Sequence, residues 1–152
     1  MQVINTPNLN EARKQADKLR KESKPIIILS QDDEFNRKAL EIKNLSMLVI
    51  NENLNQKDYM KQRNSGLNEI LAKICAEKNI AVGVQIKEIA KKSEIEKAKA
   101  LARLEQNIML CKKAGTKIIS ADSKDKYAVS SLFLSLGSST KQAKQAQESL
   151  FK

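Results

Sequence analysis

A chain of 152 residues, 41% hydrophobic and 30% charged, has the make-up of one globular domain spanning residues 1–152 with a core of its own. Its 28 Lys and Arg against 18 Asp and Glu leave a net charge of +10, which favours polyanionic partners: nucleic acid first, an acidic protein or membrane surface second. The lack of histidine excludes Ser-His-Asp and Cys-His nucleophiles and the usual zinc ligand sets, and 3% aromatic residues can hardly build the stacking platform of an RRM or OB fold.

"QVIN" (2–5) is a weak strand candidate. Thr6 and Pro7 read as N-cap and first residue of a helix running to about Glu22. "PIIIL" (25–29) is a continuous apolar, β-branched run of the kind found in buried parallel strands, and Ser30 or Asp32 can cap the short helix after it. "MLVI" (47–50) is the next strand, followed by a polar stretch over 51–65 and a helix beginning in "RNSGLNEILAK". "IAVGVQI" (80–86) predicts another strand. A long helix then runs from a Ser93 cap to a C′ glycine at Gly115, and "KIIS" (117–120) is the last clear strand. Two helices, about 128–136 and 139–150, are separated by Gly137. Strand and helix alternate, so the expected class is α/β with a mostly parallel sheet. Cys75 and Cys111 fall on apolar helix faces, as buried free thiols of a reducing compartment would. "MQVINTPNLN" has no signal-peptide core and no apolar run approaches ~20 residues, so the expected setting is cytoplasmic, without a membrane.

The residues that bear on function gather around "RNSGLNEILAK" (63–73). Leu67, Ile70, Leu71, Ile74 and Cys75 make a helical core face, with Ser65 as the expected N-cap and Gly66 allowing a tight turn. Free N–H groups at a helix start favour an anion, and Arg63, with Lys61 just before it, adds a bidentate phosphate partner. In the long helix, Leu101, Leu104, Ile108 and Cys111 form the expected buried stripe, and Lys99, Arg103 and Gln106 the expected opposite face. If the anion is RNA, contact runs through phosphates and shape and is salt-sensitive.

Taken in order, "RNSGLNEILAK", "NIAVGV" and "KAKALARLEQNIMLCKKAGTKIISA" resemble archaeal ribonuclease P protein component 3. The counterparts are Arg63, Ser65, Gly66, Leu67 and Asn68, then Asn79 to Val84, then Lys97, Lys99, Arg103, Gln106, Asn107 and Cys111, then Ile119 to Ala121. The resemblance is clear over about 60–125 and fainter over "PIIILSQDDEFNRKALE" and "QAKQAQES". It implies a TIM-barrel-like fold related to the metal-dependent phosphoesterases of the polymerase–histidinol phosphatase superfamily. It implies an accessory, non-catalytic subunit that binds ribonuclease P RNA at Lys61, Arg63, Ser65, Gly66, Asn68, Lys97, Lys99, Arg103 and Gln106. The implied protein partner is ribonuclease P protein component 2, commonly as a two-plus-two heterotetramer. Precursor tRNA is met indirectly, and Mg²⁺ belongs to the RNA active site, with no cofactor or metal on this chain.

The sequence departs from the family pattern at Asn64, where an acid is usual, at Ser120-Ala121-Asp122, which stands for the family's SGA-type turn, and at "DKYAVSS", where an Arg-x-Pro stretch is common. Lys97 and Lys99 stand for arginines, which alters bidentate contacts. Counterparts for an initial strand and helix, and for a segment between Gly137 and Gln142, are missing, so the barrel is expected to be incomplete with one or two open edges. Two rivals remain open. One is a Mg²⁺-dependent phosphoesterase using carboxylates near strand ends: Asp32, Asp33, Glu34, Glu52, Asp122 and Asp125. The other is a basic protein-interaction module.

Overall fold

Four short apolar runs form the sheet of this computed structural model, which describes residues 2–54, 57–58, 60 and 62–148. In chain order the elements are α1 (Leu9–Lys21), β1 (Ile26–Leu29), α2 (Asp33–Ala39), β2 (Leu45–Val49), α3 (Glu69–Glu77), β3 (Ala81–Val84), α4 (Ile86–Ala90), α5 (Glu94–Ala114), β4 (Ile118–Ser120), α6 (Lys126–Ser135) and α7 (Thr140–Ala146). All pairings are parallel and the strand order is β1-β2-β3-β4.

The strands are buried on both faces, which is why they read as unbroken apolar runs. One face, carrying Ile26, Ile28, Leu48, Val82, Val84 and Ile118, packs with side chains of α1, α2, α3, α5, α6 and α7. The other carries Ile27, Leu29, Met47, Val49, Ala81 and Ile119, which pack on one another and on Val3 and Ala121, with no helical side chain among them. A doubly wound sheet would divide its helices between the faces. A sequential order with helices on one face is the winding of a TIM-type barrel, here four strands of it, without closure among the described residues. Gly83 shows how tight the inner face is: a Cβ there would lie 2.5 Å from Met47 Sδ and 2.9 Å from Val49 Cγ2.

Several local expectations need correction. The strand expected at 2–5 is a single bridge, Ile4 to Ile28, with Ile4 N donating to Ile27 O and Leu29 N to Ile4 O. The turn at Thr6–Pro7 follows at once and leaves no length for a strand. The cap of α1 is Asn8, which accepts from Asn10 and Glu11 N–H; Thr6 is buried and donates to the Glu11 carboxylate. The strand expected over 80–86 stops at Val84, and the short α4 begins at Ile86. That helix is capped from across the fold: Asp122 Oδ2 accepts from Lys87 N at 2.9 Å. Helix α6 starts two residues early, at a cap made by Asp125, and α7 ends at Ala146 rather than 150. The caps expected at Asp32, Ser93 and Gly115 hold their positions, though Ser93 makes no side-chain capping bond. Both cysteines are free and buried, and burial pushes the Cys75 and Cys111 thiols up to about 11 and about 12. No helix among the described residues is long and apolar enough to cross a membrane.

Candidate nucleic-acid interface

The loop Arg63–Asn68 leads into α3 and lies against α5, although the two segments are some forty residues apart in sequence. Gln106 of α5 accepts from Arg63 N at 3.1 Å and donates to Arg63 O at 2.9 Å and Ser65 Oγ at 3.0 Å. Next to it, Asn107 Nδ2 donates to Ser65 O at 3.3 Å. From α2, the fully buried Asn36 donates to Gly66 O at 3.5 Å and to Gln31 O at 3.1 Å. Gly66 has φ +78°, a left-handed conformation that glycine adopts without strain. The loop is therefore held by side-chain amides that read its backbone.

This corrects two readings. Ser65 is not the helix cap: it is buried, donating its hydroxyl to Leu67 O, and Asn68 caps α3 by accepting from Leu71 N at 2.9 Å. Nor do Arg103 and Gln106 line a solvated face opposite the core. They occupy the flank of α5 that meets the loop, and Arg103 is only 20% exposed. The buried stripe of α5 is Ala100, Leu104, Asn107, Ile108 and Cys111, with Leu101 half-buried.

Of the residues expected to bind RNA, Arg63, Arg103, Gln106, Ser65 and Gly66 come together, and Asn68 follows at the start of α3. Lys99 is exposed one turn before Arg103, with Nζ 3.5 Å from Glu96. Lys97 is half-buried and sits about a third of a turn round the helix from Arg103. Lys61 lies outside the described residues.

Both arginines face one carboxylate that the sequence reading missed. Asp58 has Oδ2 3.7 Å from Arg63 Nη1 and Oδ1 3.7 Å from Arg103 Nε. It sits in the polar stretch 51–65, where no periodicity singles it out. Behind Arg103 is a cavity of about 20 Å³, room for about one water, lined by Ser30, Asn51, Glu52, Ser65 and Gly66. Burial pushes the Glu52 carboxyl up to about 7; Lys92 and Arg103 pull it down, and Asp122 adds to the rise. A larger cavity of about 810 Å³ opens near Met47, between Lys24–Pro25 and the loop after β4, and none of the expected RNA-binding residues lines it.

Four of the six carboxylates considered as Mg²⁺ ligands have other partners. Asp32, Asp122 and Asp125 cap helices, and Glu34 pairs with Lys38 at 2.7 Å. Among the described residues, no three His, Cys, Asp or Glu side chains converge as a metal set.

Fold and site together define an α/β protein with an incomplete TIM-like barrel and a braced basic loop near the carboxyl ends of its strands. It shares that fold with a chain in the cryo-EM structure of archaeal ribonuclease P with mature tRNA, at a TM-score of 0.78, 23% identity, and coverage of 95% of this chain and 62% of the other. In sequence it is similar to ribonuclease P protein component 3, as its motifs predict: 28% identical over 127 residues to that of Methanococcus maripaludis strain C7, covering 83% of this chain and 52% of the relative. The component 3 of Methanococcus vannielii is 29% identical over 123 residues, with 80% and 50% covered, and that of Methanocaldococcus jannaschii 28% over 127 residues, with 83% and 52% covered. The chain thus spans about half the length of these relatives. No family model matches it.

Proposed function

We propose that this chain is an RNA-binding protein subunit of ribonuclease P, supporting the catalytic RNA as it removes 5′ leaders from precursor tRNA. The observation that carries this reading is that the two segments resembling component 3 meet in space, where Gln106 bonds the Arg63 backbone and the side chains of Arg63 and Arg103 face the same point. Arg63, Arg103 and Lys99, together with Lys61, Lys97 and Asn68, supply phosphate contacts, while Ser65, Gly66 and Gln106 hold the loop that presents them. The net charge of +10 supports a contact of this kind. Following the family resemblance, the protein partner is ribonuclease P protein component 2 in a two-plus-two assembly. Precursor tRNA is met through the RNA, Mg²⁺ serves the RNA rather than this chain, and the complex works in the cytoplasm.

The test is precursor-tRNA cleavage in Mg²⁺ with cognate ribonuclease P RNA and component 2, with this chain added or omitted. Stimulation that requires the whole mixture is the expected result. A chain that adds nothing would overturn the reading, and cleavage by the chain alone would point to the carboxylate enzyme instead. Arg63→Ala and Arg103→Ala are expected to weaken RNA binding more than they lower the melting temperature. Each should reduce the slope of log affinity against log salt by about 1.

A further inference from the structure

Two arginines from different elements converge on one carboxylate, and the fit is poor. The 3.7 Å separations from Asp58 to Arg63 Nη1 and to Arg103 Nε are longer than the ~2.8 Å of a charge-assisted hydrogen bond. Arg103 Nε is buried and, among the described residues, finds no hydrogen-bond acceptor. A buried guanidinium N–H without an acceptor is costly, so the free protein leaves this donor short. The Asp58 carboxylate is anchored from elsewhere: its Oδ1 accepts from Asn64 N at 2.8 Å. Asp58, Arg63 and Arg103 are 31%, 48% and 20% exposed, so each side chain reaches solvent although Arg103 Nε itself is covered. The surroundings are fixed, because Gln106 and Asn107 hold the Arg63–Ser65 backbone to the helix that carries Arg103.

These are the parts of an oxyanion site: two guanidiniums, one backbone N–H and a braced frame. An Asp carboxylate offers two oxygens tethered to its own backbone, and here each stays 3.7 Å from its arginine. A phosphodiester carries the same charge on a larger tetrahedral group and can approach each guanidinium directly.

We propose that the Asp58 carboxylate is an intramolecular stand-in for a phosphate group, and that a nucleic-acid phosphodiester binds between Arg63 and Arg103 by displacing it. This deepens the RNA-binding reading above and rests on it. Asp58 thereby lowers affinity for anions in general and screens the two like charges from each other until a phosphate arrives. Binding exchanges one ion pair for another, with no covalent step.

The experiment uses the full chain and Asp58→Asn. The asparagine keeps an acceptor for Asn64 N–H while removing the competing charge. Glu105→Gln, an exposed residue of α5, is the control for the same change in net charge. Two probes are titrated: ribonuclease P RNA, and inorganic phosphate followed through the Arg103 Nε–H resonance. Asp58→Asn is expected to tighten RNA binding about three- to fivefold, beyond any gain from Glu105→Gln. That gain should vanish when Arg63→Ala or Arg103→Ala is added. If Asp58→Asn does no more than the control while the arginine variants still weaken RNA binding, the stand-in is wrong and the RNA-binding reading survives. If RNA does not bind, the phosphodiester proposal falls together with the RNA-binding reading, and a stronger phosphate-induced shift of Arg103 in Asp58→Asn would then mark a site for free phosphate only. No gain with either probe overturns the proposal.

Discussion

Gln106 brackets the backbone of Arg63: its Oε1 accepts from Arg63 N at 3.1 Å and its Nε2 donates to Arg63 O at 2.9 Å. A side-chain amide here does what a neighbouring β-strand does, pairing both polar groups of one residue. With Nε2 also on Ser65 Oγ, Gln106 makes three of the bonds that tie the loop to α5, beside that of Asn107 to Ser65 O. Gln106→Ala is expected to cost about 1–2 kcal/mol, the net worth of a few partly exposed hydrogen bonds. It should also speed amide hydrogen exchange at Arg63. A variant with wild-type exchange at Arg63 would show that the loop holds its shape without the clamp.

The caps of α3 can be separated in the same way. Asn68→Ala removes the acceptor for Leu71 N and should destabilise by about 1 kcal/mol. Asn68→Asp should retain most of that stability, since an anion at a helix N-terminus is favourable. Ser65→Ala removes a hydroxyl that bridges Gln106 and Leu67 O, so its effect should fall on the loop and not on the helix. Urea unfolding gives the stability of each variant, and far-UV circular dichroism the helix content.

The confusion between Ser65 and Asn68 shows where the sequence stops being readable. Both are good caps at the start of one apolar segment, whose expected core member Ile70 is 62% exposed, and only the path of the chain around Gly66 decides between them. The strands could be read because residues such as Ile27 and Leu48 are fully buried on opposite faces, which leaves an unbroken apolar signature. Helix α4 could not, because its cap, Asp122, comes from a loop 35 residues away. The charged flank of α5 was legible as a stripe, but periodicity records only that a face is polar. It does not say whether water or a loop covers that face, so Arg103 and Gln106 read as solvated. Asp58 carries no local signal at all, since its role arises from two arginines brought to it by the fold.

Gly83 tests the curl of the sheet. Its neighbours across the inner face, Met47 Sδ and Val49 Cγ2, leave no room for a methyl group. The methionine tail can swing aside, but the branched Val49 cannot. Gly83→Ala should therefore destabilise by about 1–3 kcal/mol through overpacking. Adding Val49→Ala should recover part of that loss, because it removes the methyl that clashes. Chemical denaturation of the two single variants and the double variant measures the coupling. Additive losses would mean that the inner face is looser than these distances imply.

Glu52 gives the pH dependence its sign. Its carboxyl is raised from an ordinary 4.5 to about 7, by burial first, with Lys92 and Arg103 opposing and Asp122 adding. The folded state therefore holds this proton more tightly than the unfolded chain. Below pH 4.5 both states are protonated and Glu52 makes no difference. Between 4.5 and 7 the unfolded chain releases its proton first, so stability falls as pH rises, and above 7 the loss is complete. A rise of that size corresponds to about 3 kcal/mol as an upper limit. Glu52→Gln mimics the protonated form in shape and hydrogen bonding. It should match the wild type near pH 4.5 and be more stable at pH 8, with the difference opening between those values. Arg103→Ala should widen the gap, since Glu52 then loses one of the cations that favour its charged form. Denaturation midpoints of the wild type and Glu52→Gln from pH 4 to 8 provide the comparison, and parallel curves would place Glu52 in water rather than behind Arg103.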